Sequence, residues 1–138
     1  MQRIIRDRAK GGAMGDADPV VRISKEERRV GAPTAGIQRE EAVATETTWG
    51  GFMRTDAGMI SGWHHHGEYE SVIYVLTGSL RMESGSGGSS VVDAGPGDFL
   101  FVPRGAIHRE SNPADVELTA VVVRSGSGDP VMNVDGPA

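Results

Sequence analysis

Histidines at regular spacing are the residues of this chain that could do chemistry. Gly58, His64, His66 and Glu70 are spaced Gly-x5-His-x-His-x3-Glu in a stretch that ends at Gly78. Imidazole nitrogens and a carboxylate oxygen together suit a divalent first-row transition metal. Because alternate residues of an extended segment point the same way, His64 and His66 can reach one ion. This stretch therefore predicts part of a metal site.

A second stretch supplies the last of the four histidines. Gly97, Pro103, Gly105, His108 and Asn112 are spaced Gly-x5-Pro-x-Gly-x2-His-x3-Asn. A proline that ends a strand and a glycine that permits a sharp turn would bring the chain back at the histidine. We therefore expect His108 to reach the same ion from a neighbouring strand. The remaining histidine, His65, should face the other way and have no ligand role.

Length and composition predict one β-rich domain, long enough to bury a core but too short for two domains. The chain has 138 residues, of which 20 are glycine and 7 are proline, and it contains no cysteine for disulfide or thiolate chemistry. A net charge of −5 gives no general attraction to nucleic acid or anionic lipid. The first ten residues are not followed by the apolar stretch of an export signal, and no apolar run is long enough to span a bilayer. We expect a cytoplasmic protein without nucleic-acid or membrane partners.

The predicted elements are strands and turns. Residues 1–18 should form a flexible arm, and residues 18–24 a short strand. Ser24 and Glu27 have the spacing of a capping box at the start of a helical turn. From Trp49 onward, short segments rich in β-branched and aromatic residues alternate with Gly, Pro, Asn and Asp. The pattern predicts an antiparallel sandwich or barrel, with strands near 48–55, 70–77, 80–83, 90–95, 98–103, 106–111 and 116–123.

The two spaced stretches together resemble the cupin superfamily. The resemblance implies an all-β jelly roll (a double-stranded β-helix) in a single domain over residues 19–138, with its metal motifs within 47–124. The second stretch has all five defining residues, whereas the first has seven residues instead of six between Glu70 and Gly78. Counting back from Gly78 with the family spacing reaches Ser71. We assign Glu70, because it shares parity with His66 and a bulge before Gly78 would absorb the extra residue.

The resemblance also implies the members of the site. The expected metal ligands are His64, His66, Glu70 and His108, around one Fe, Mn, Ni, Cu or Zn ion, with Glu70 also able to act as a general base. Trp63 and Tyr74 could wall a substrate pocket, although core packing is favoured for Tyr74. Candidate clamps for a substrate carboxylate are Arg54, Arg104 and Arg109. Phe99 and Phe101 are expected in the core.

For function, the resemblance implies a metal-dependent protein that acts on a small organic molecule. An oxidoreductase of dioxygenase type is the first expectation. A non-redox isomerase, epimerase or lyase, which would use the ion as a Lewis acid, is the second. A binding or sensing module without turnover is the third. A homodimer is expected because small jelly rolls leave sheet edges exposed, and the strand near residues 18–24 could pair with a second subunit.

Overall fold

The computed structural model of the chain describes residues 18–138. The predicted flexible arm therefore lies outside the described residues, apart from Asp18. The described residues form eleven strands: β1 Arg29–Val30, β2 Gln38–Ala44, β3 Thr48–Thr55, β4 His64–His65, β5 Glu70–Thr77, β6 Leu80–Ser84, β7 Ser90–Ala94, β8 Phe99–Val102, β9 His108–Ser111, β10 Leu118–Ser125 and β11 Met132–Asn133. Short 3-10 turns cover Lys25–Glu27 and Ser86–Gly88. Within residues 18–138 there is no helix of the length and hydropathy that crossing a bilayer requires.

Two antiparallel sheets make up the domain. The first has six strands in the order β1-β2-β3-β10-β5-β8, and the second has five in the order β11-β4-β9-β6-β7. Strands that are distant in sequence are therefore neighbours, as β4 and β9 are in the second sheet. The predicted all-β antiparallel fold is confirmed, and the strands from Thr48 onward lie close to their predicted positions.

The N-terminal part of the described chain differs from its prediction in one element. Residues 18–24 form no strand. Ser24 instead precedes the first 3-10 turn, and its hydroxyl donates a hydrogen bond of 3.1 Å to the Glu27 carboxylate. The predicted capping contact between Ser24 and Glu27 is therefore present. The first strand, β1, begins only after this turn, at Arg29.

The core lies between the two sheets and follows the alternation of each strand. Inward residues of β10 are Leu118, Ala120, Val122 and Arg124, and the residues between them face outward. The first three pack against apolar side chains of both sheets, which include Val75, Ile73, Leu80, Met82 and Val102. The inner faces therefore supply an apolar core that is interrupted by a few polar side chains near one end.

Strand β8 turns its aromatic residues outward, which corrects the expectation that they are core. Phe99 and Phe101 are 68% and 60% exposed, whereas Val102 is buried and Leu100 packs against the core. The reason is that a strand apolar on both faces does not show which parity is inward. Tyr74 belongs to the same outer face, where its ring centroid is 4.8 Å from that of Phe99. It therefore lines neither the core nor an interior pocket.

Strand β5 contains the irregularity that the motif spacing indicated. Ala120 of β10 pairs with Val75, whereas Thr119 pairs with Thr77, so Leu76 is an extra residue without an opposite neighbour. This is a β-bulge, and it lies immediately before the turn at Gly78. The predicted bulge is therefore present.

Candidate metal site

The three histidines of the motifs meet between the sheets. His64 on β4 lies directly opposite His108 on β9, and His66 follows the end of β4. Their ring centroids are 4.3 Å apart for His64 and His108, and 5.1 Å apart for each pair that includes His66. All three side chains are buried, and they offer ligand nitrogens that all lie within 4.8 Å of one another. This geometry could hold one metal ion.

Backbone carbonyl groups fix the tautomer of each ring. Nδ1 of His64 and of His108 lies 3.0 and 2.8 Å from the carbonyl oxygen two residues earlier, and Nδ1 of His66 lies 2.6 Å from that of Pro130. A carbonyl oxygen can only accept, so each Nδ1 donates its hydrogen and Nε2 of the neutral ring carries the lone pair. Nε2 of His108 is buried without a hydrogen-bond partner, and Nε2 of His64 is buried with only a carboxylate oxygen of Glu110 beside it, at 3.1 Å. Buried polar atoms rarely lack a partner, and a coordinated cation would supply one.

The environment also keeps two of the rings uncharged. Burial and, second to it, the positive charge of Arg124 together lower the pKa of His66 to about 2. Burial likewise lowers the pKa of His108 to about 4, against the opposing attraction of Glu110. Neutral rings at physiological pH have lone pairs available for coordination.

A carboxylate that the sequence reasoning did not select lies beside the histidines. Glu110 is two residues after His108 on β9, it is 3% exposed, and its Oε2 is 3.1 Å from Nε2 of His64. Burial alone would raise the pKa of this carboxyl, but its interactions with His64, His108 and Arg39 hold the pKa below the ordinary value. Since His64 already donates from Nδ1, a lone pair on Nε2 would face a carboxylate oxygen. A proton or a cation between the two atoms makes that approach favourable, so the donor set fits a metal.

The expected fourth ligand, Glu70, is not brought to the three histidines. The chain turns between His66 and Tyr69, where the amide of Tyr69 donates to the His66 carbonyl at 3.0 Å. The inward and outward alternation of side chains counted from His66 therefore does not continue into β5. On β5 the buried residues are Ser71, Ile73 and Val75, and Glu70 is half-buried on the opposite face. Ser71, the residue reached by counting back from Gly78, occupies the inward position.

The predicted pocket residues lie on the outer surface. The guanidinium of Arg109 is 4.6 Å from the Trp63 ring centroid and pairs with Glu83 at 2.8 Å. Arg54 pairs with Glu40 at 3.3 Å, and Arg104 is exposed. The arginines proposed as clamps thus face solvent and neighbouring carboxylates.

Two other arginines occupy the interior. Arg39 on β2 and Arg124 on β10 are 5% and 2% exposed. Arg39 donates from Nη1 to the carbonyl of Ala32 at 2.9 Å and to Oγ1 of Thr34 at 2.8 Å. Arg124 stacks on Trp49, with its Cζ atom 4.3 Å from the ring centroid. Sequence reasoning missed Arg124, although it continues the inward parity of Leu118, Ala120 and Val122.

Comparison with known families decides the assignment of the fold. Residues 51–124 match the family described as Cupin_2, cupin domain, and this match covers more than half of the chain. The chain is a cupin. The family suggested by the two histidine stretches is thereby confirmed.

Solved structures similar to this cupin share its fold. KdgF from Halomonas sp. has a TM-score of 0.59 at 19% identity, over 75% of this chain and 93% of that one. A protein with a double-stranded beta-helix domain from Klebsiella pneumoniae has 0.61 at 18%, over 83% and 90%. An oxalate oxidase in complex with the substrate analogue glycolate has 0.55 at 21%, over 63% of this chain and 46% of that one. The search of curated proteins found no match.

A surface cavity of the cupin reaches one member of the histidine cluster, His108. It has a volume of about 270 Å³ and lies between the edge strand β8 and strands β6 and β7. Its lining is largely apolar and includes Met82, Val92, Phe101, Val102, Pro103 and His108. A small organic molecule could therefore approach His108 from this side.

Proposed function

We propose that this cupin binds one divalent transition metal and acts on a small organic molecule as an oxidoreductase. The proposed ligands are Nε2 of His64, His66 and His108 and the carboxylate of Glu110. The observation that carries the proposal is the set of inward Nε2 atoms: that of His108 is buried without a partner, and that of His64 has only the Glu110 carboxylate beside it. A bound Fe, Mn, Ni, Cu or Zn ion supplies Lewis acidity, and the redox-active ions among these also supply electrons for oxygen chemistry.

The residues of the chain prepare the site before any ion arrives. Backbone carbonyls hold the three rings in the tautomer that presents Nε2, so no reorientation is needed on binding. Glu110 contributes a negative charge that offsets part of the charge of a cation. Burial of all four side chains excludes bulk water from the donor atoms.

Two observations support redox chemistry over the alternatives. An oxalate oxidase is among the proteins of similar fold, which favours an oxidoreductase. The mostly apolar cavity at His108 suits the entry of dioxygen and a small organic substrate. A non-redox isomerase or lyase would need the same ligands, so the identity and use of the ion distinguish the two functions.

Metal analysis tests the site. The protein is purified without chelators or an affinity tag, and its metal content is compared with that of His64→Ala and His108→Ala. His65→Ala is the matched control, because His65 is half-buried and its Nδ1 accepts a hydrogen bond of 3.0 Å from the Gly67 amide. We expect about one equivalent of metal in the wild type and the control, and its loss from the other two variants. An ion that persists in both would contradict the proposal.

Oxygen uptake tests the chemistry. The protein is loaded with Fe(II), Mn(II) or Ni(II) and supplied with hydroxy acids, enediols and thiol acids while dissolved oxygen is recorded. We expect consumption that depends on both the ion and the substrate, and that is absent from His108→Ala. Resident zinc together with no oxygen uptake in any combination would overturn the redox assignment and favour Lewis-acid chemistry.

A further inference from the structure

Arg124 lies in a row of inward side chains that crosses the six-stranded sheet. Its Cα is paired with Ser71 of β5 on one side and with Trp49 of β3 on the other. Directly opposed residues of antiparallel strands place their side chains on the same face. All three side chains are buried, with exposed fractions of 2% for Arg124, 1% for Ser71 and 5% for Trp49. The row therefore faces the space between the sheets, where the histidines meet.

Two neighbours in this row have polar atoms without hydrogen-bond partners. Nε and Nη1 of Arg124 are buried and unpartnered, and so is Oγ of Ser71. A buried donor without an acceptor is costly, more so when it carries charge. Since the two residues are adjacent in the sheet, one acceptor group could receive hydrogen bonds from both.

The charges of the described interior also call for an anion. Arg39 and Arg124 contribute two positive charges and Glu110 one negative charge, and a divalent cation would add two more positive charges. Burial lowers the pKa of Arg124 to about 9, with the nearby Arg39 adding to the effect, so its guanidinium remains charged at neutral pH. The positive excess beside the histidines would be reduced by a negatively charged ligand.

Arg124 is close to the proposed metal ligands. Two residues after Arg124, a Cβ at Gly126 would lie 2.6 Å from the carbonyl oxygen of Glu68, within the turn that begins at His66. Its stacking on Trp49 holds the plane of the guanidinium in place. A group bound to Arg124 would therefore lie beside the histidine cluster in a fixed orientation.

We propose that Arg124, assisted by Ser71, binds the carboxylate of a small organic acid inside the barrel, beside the three histidines. This rests on the proposed function and names the class of its substrate. The planar guanidinium matches a carboxylate through two parallel hydrogen bonds. A phosphate dianion would favour a second free cation, but Nη1 of Arg39 is engaged by Ala32 and Thr34.

Trp49 provides the reporter for a direct binding test. The chain has two tryptophans, so Trp63→Phe leaves Trp49, which stacks on Arg124, as the single indole. Its fluorescence is followed during titration with sodium acetate, at constant ionic strength set with sodium chloride. Chelator-treated and zinc-loaded protein are titrated separately, and acetamide serves as the uncharged analogue. We expect saturable binding of acetate in both forms and none of acetamide.

Substitutions in the Trp63→Phe background test whether acetate binds to Arg124. Arg124→Gln and Arg124→Lys should each weaken acetate binding by about tenfold or more, since both remove the fork of donors. Arg54→Gln, which changes an arginine of the outer face, should leave it unchanged. If Arg124→Gln lost its cooperative thermal transition, Ser71→Ala would take its place, with an expected weakening of several-fold.

The proposal would be overturned if acetate affinity survived Arg124→Gln, if acetamide bound as well as acetate, or if inorganic phosphate bound more tightly than acetate. Acetate binding only to the zinc-loaded protein would assign the carboxylate to the ion and also contradict the role of Arg124. Failure of the proposed function would give a different result from failure of this inference. A wild type without a metal site, but with acetate binding that depends on Arg124, would refute the metal assignment and retain this one.

Discussion

The carboxylate of Glu110 lies 3.1 Å from Nε2 of His64, on the strand that also presents His108. The acidic group of the site thus comes from the second motif, although the first contains a glutamate at the family spacing. Glu70 is on the other face of β5, and its inward neighbour is Ser71. The two glutamates give opposite predictions for substitution.

Glu110→Gln should weaken metal binding by at least about tenfold, because it removes an anionic donor from a buried site. Glu70→Gln should leave the affinity unchanged. Both affinities are measured by competition with a chromophoric chelator, with Zn(II) and with Co(II), whose visible spectrum also reports the number of ligands. A loss confined to Glu70→Gln would restore the original assignment.

The metal-free protein should lose stability in mild acid. The folded-state pKa values of His66 and His108, about 2 and about 4, lie below the ordinary value of 6.5, so the unfolded chain binds more protons between these limits. Stability is therefore complete above pH 6.5 and falls as the pH is lowered. For one such histidine the loss is about 2 kcal/mol between pH 6.5 and pH 5.

Urea unfolding of chelator-treated protein between pH 7.5 and pH 5 measures this dependence. His66→Gln should show a shallower slope, since it removes one of the two rings that resist protonation. An equal slope in wild type and variant would show that the burial of His66 does not govern the acid response.

Gly78→Ala should destabilise the fold more than Gly58→Ala. Both glycines have a positive φ, +79° and +75°, so an alanine at either position costs about 1–2 kcal/mol of backbone strain. A Cβ at Gly78 would also lie 2.7 Å from the Cα of Leu118, whereas a Cβ at Gly58 would meet nothing within 4 Å. The crowding adds roughly 1–3 kcal/mol. Thermal or urea unfolding of both variants compares them, and equal costs would contradict the close approach.

The homodimer remains a prediction, but its expected surface changes. With no strand at residues 18–24, the better candidate is the outer face of the six-stranded sheet. There Val72 pairs in register with Phe101 and Val123, and the three side chains are 44%, 60% and 43% exposed. An apolar patch of this kind suits a symmetric contact with a second copy.

Sedimentation velocity at micromolar concentration measures the oligomeric state. We expect a dimer for the wild type and a monomer for Phe101→Lys, which puts a charge into the apolar face. Val116→Lys is the control, because Val116 is 53% exposed and lies outside the paired rows. A compact wild-type monomer would refute the dimer.

The sequence predicted the strands from Thr48 onward because tight turns separate short apolar runs, and this signal is local. It predicted three converging histidines because their two motifs bring strands together that are far apart in the chain. Counting alternate residues predicted which side chains face inward only where the strand was continuous. The count from His66 to Glu70 failed because it crossed the turn that ends at Tyr69.

The two interior charged residues that the sequence reasoning missed could have been found from the alternation along their own strands. Glu110 shares the parity of His108 on one unbroken strand, and Arg124 continues the apolar side of β10. A charged residue on the inward stripe of a strand indicates an interior polar site. Phe99 and Phe101 gave no such signal, since both faces of β8 are apolar and its register against β5 decides which face is inward: Leu100 lies opposite the buried Ile73 and Phe101 opposite the exposed Val72.

The contact between His66 and Pro130 bears on how the site is assembled in time. The ring that belongs to the first motif is oriented by a carbonyl 64 positions later, and β11 beyond it pairs with β4 at His64 and His65. During synthesis, a ribosome that has completed only the two motifs has not yet made the segment whose Pro130 carbonyl orients the ring of His66. Tight capture of the proposed ion should therefore follow the emergence of residues 130–133 from the ribosome, late in the maturation of the protein.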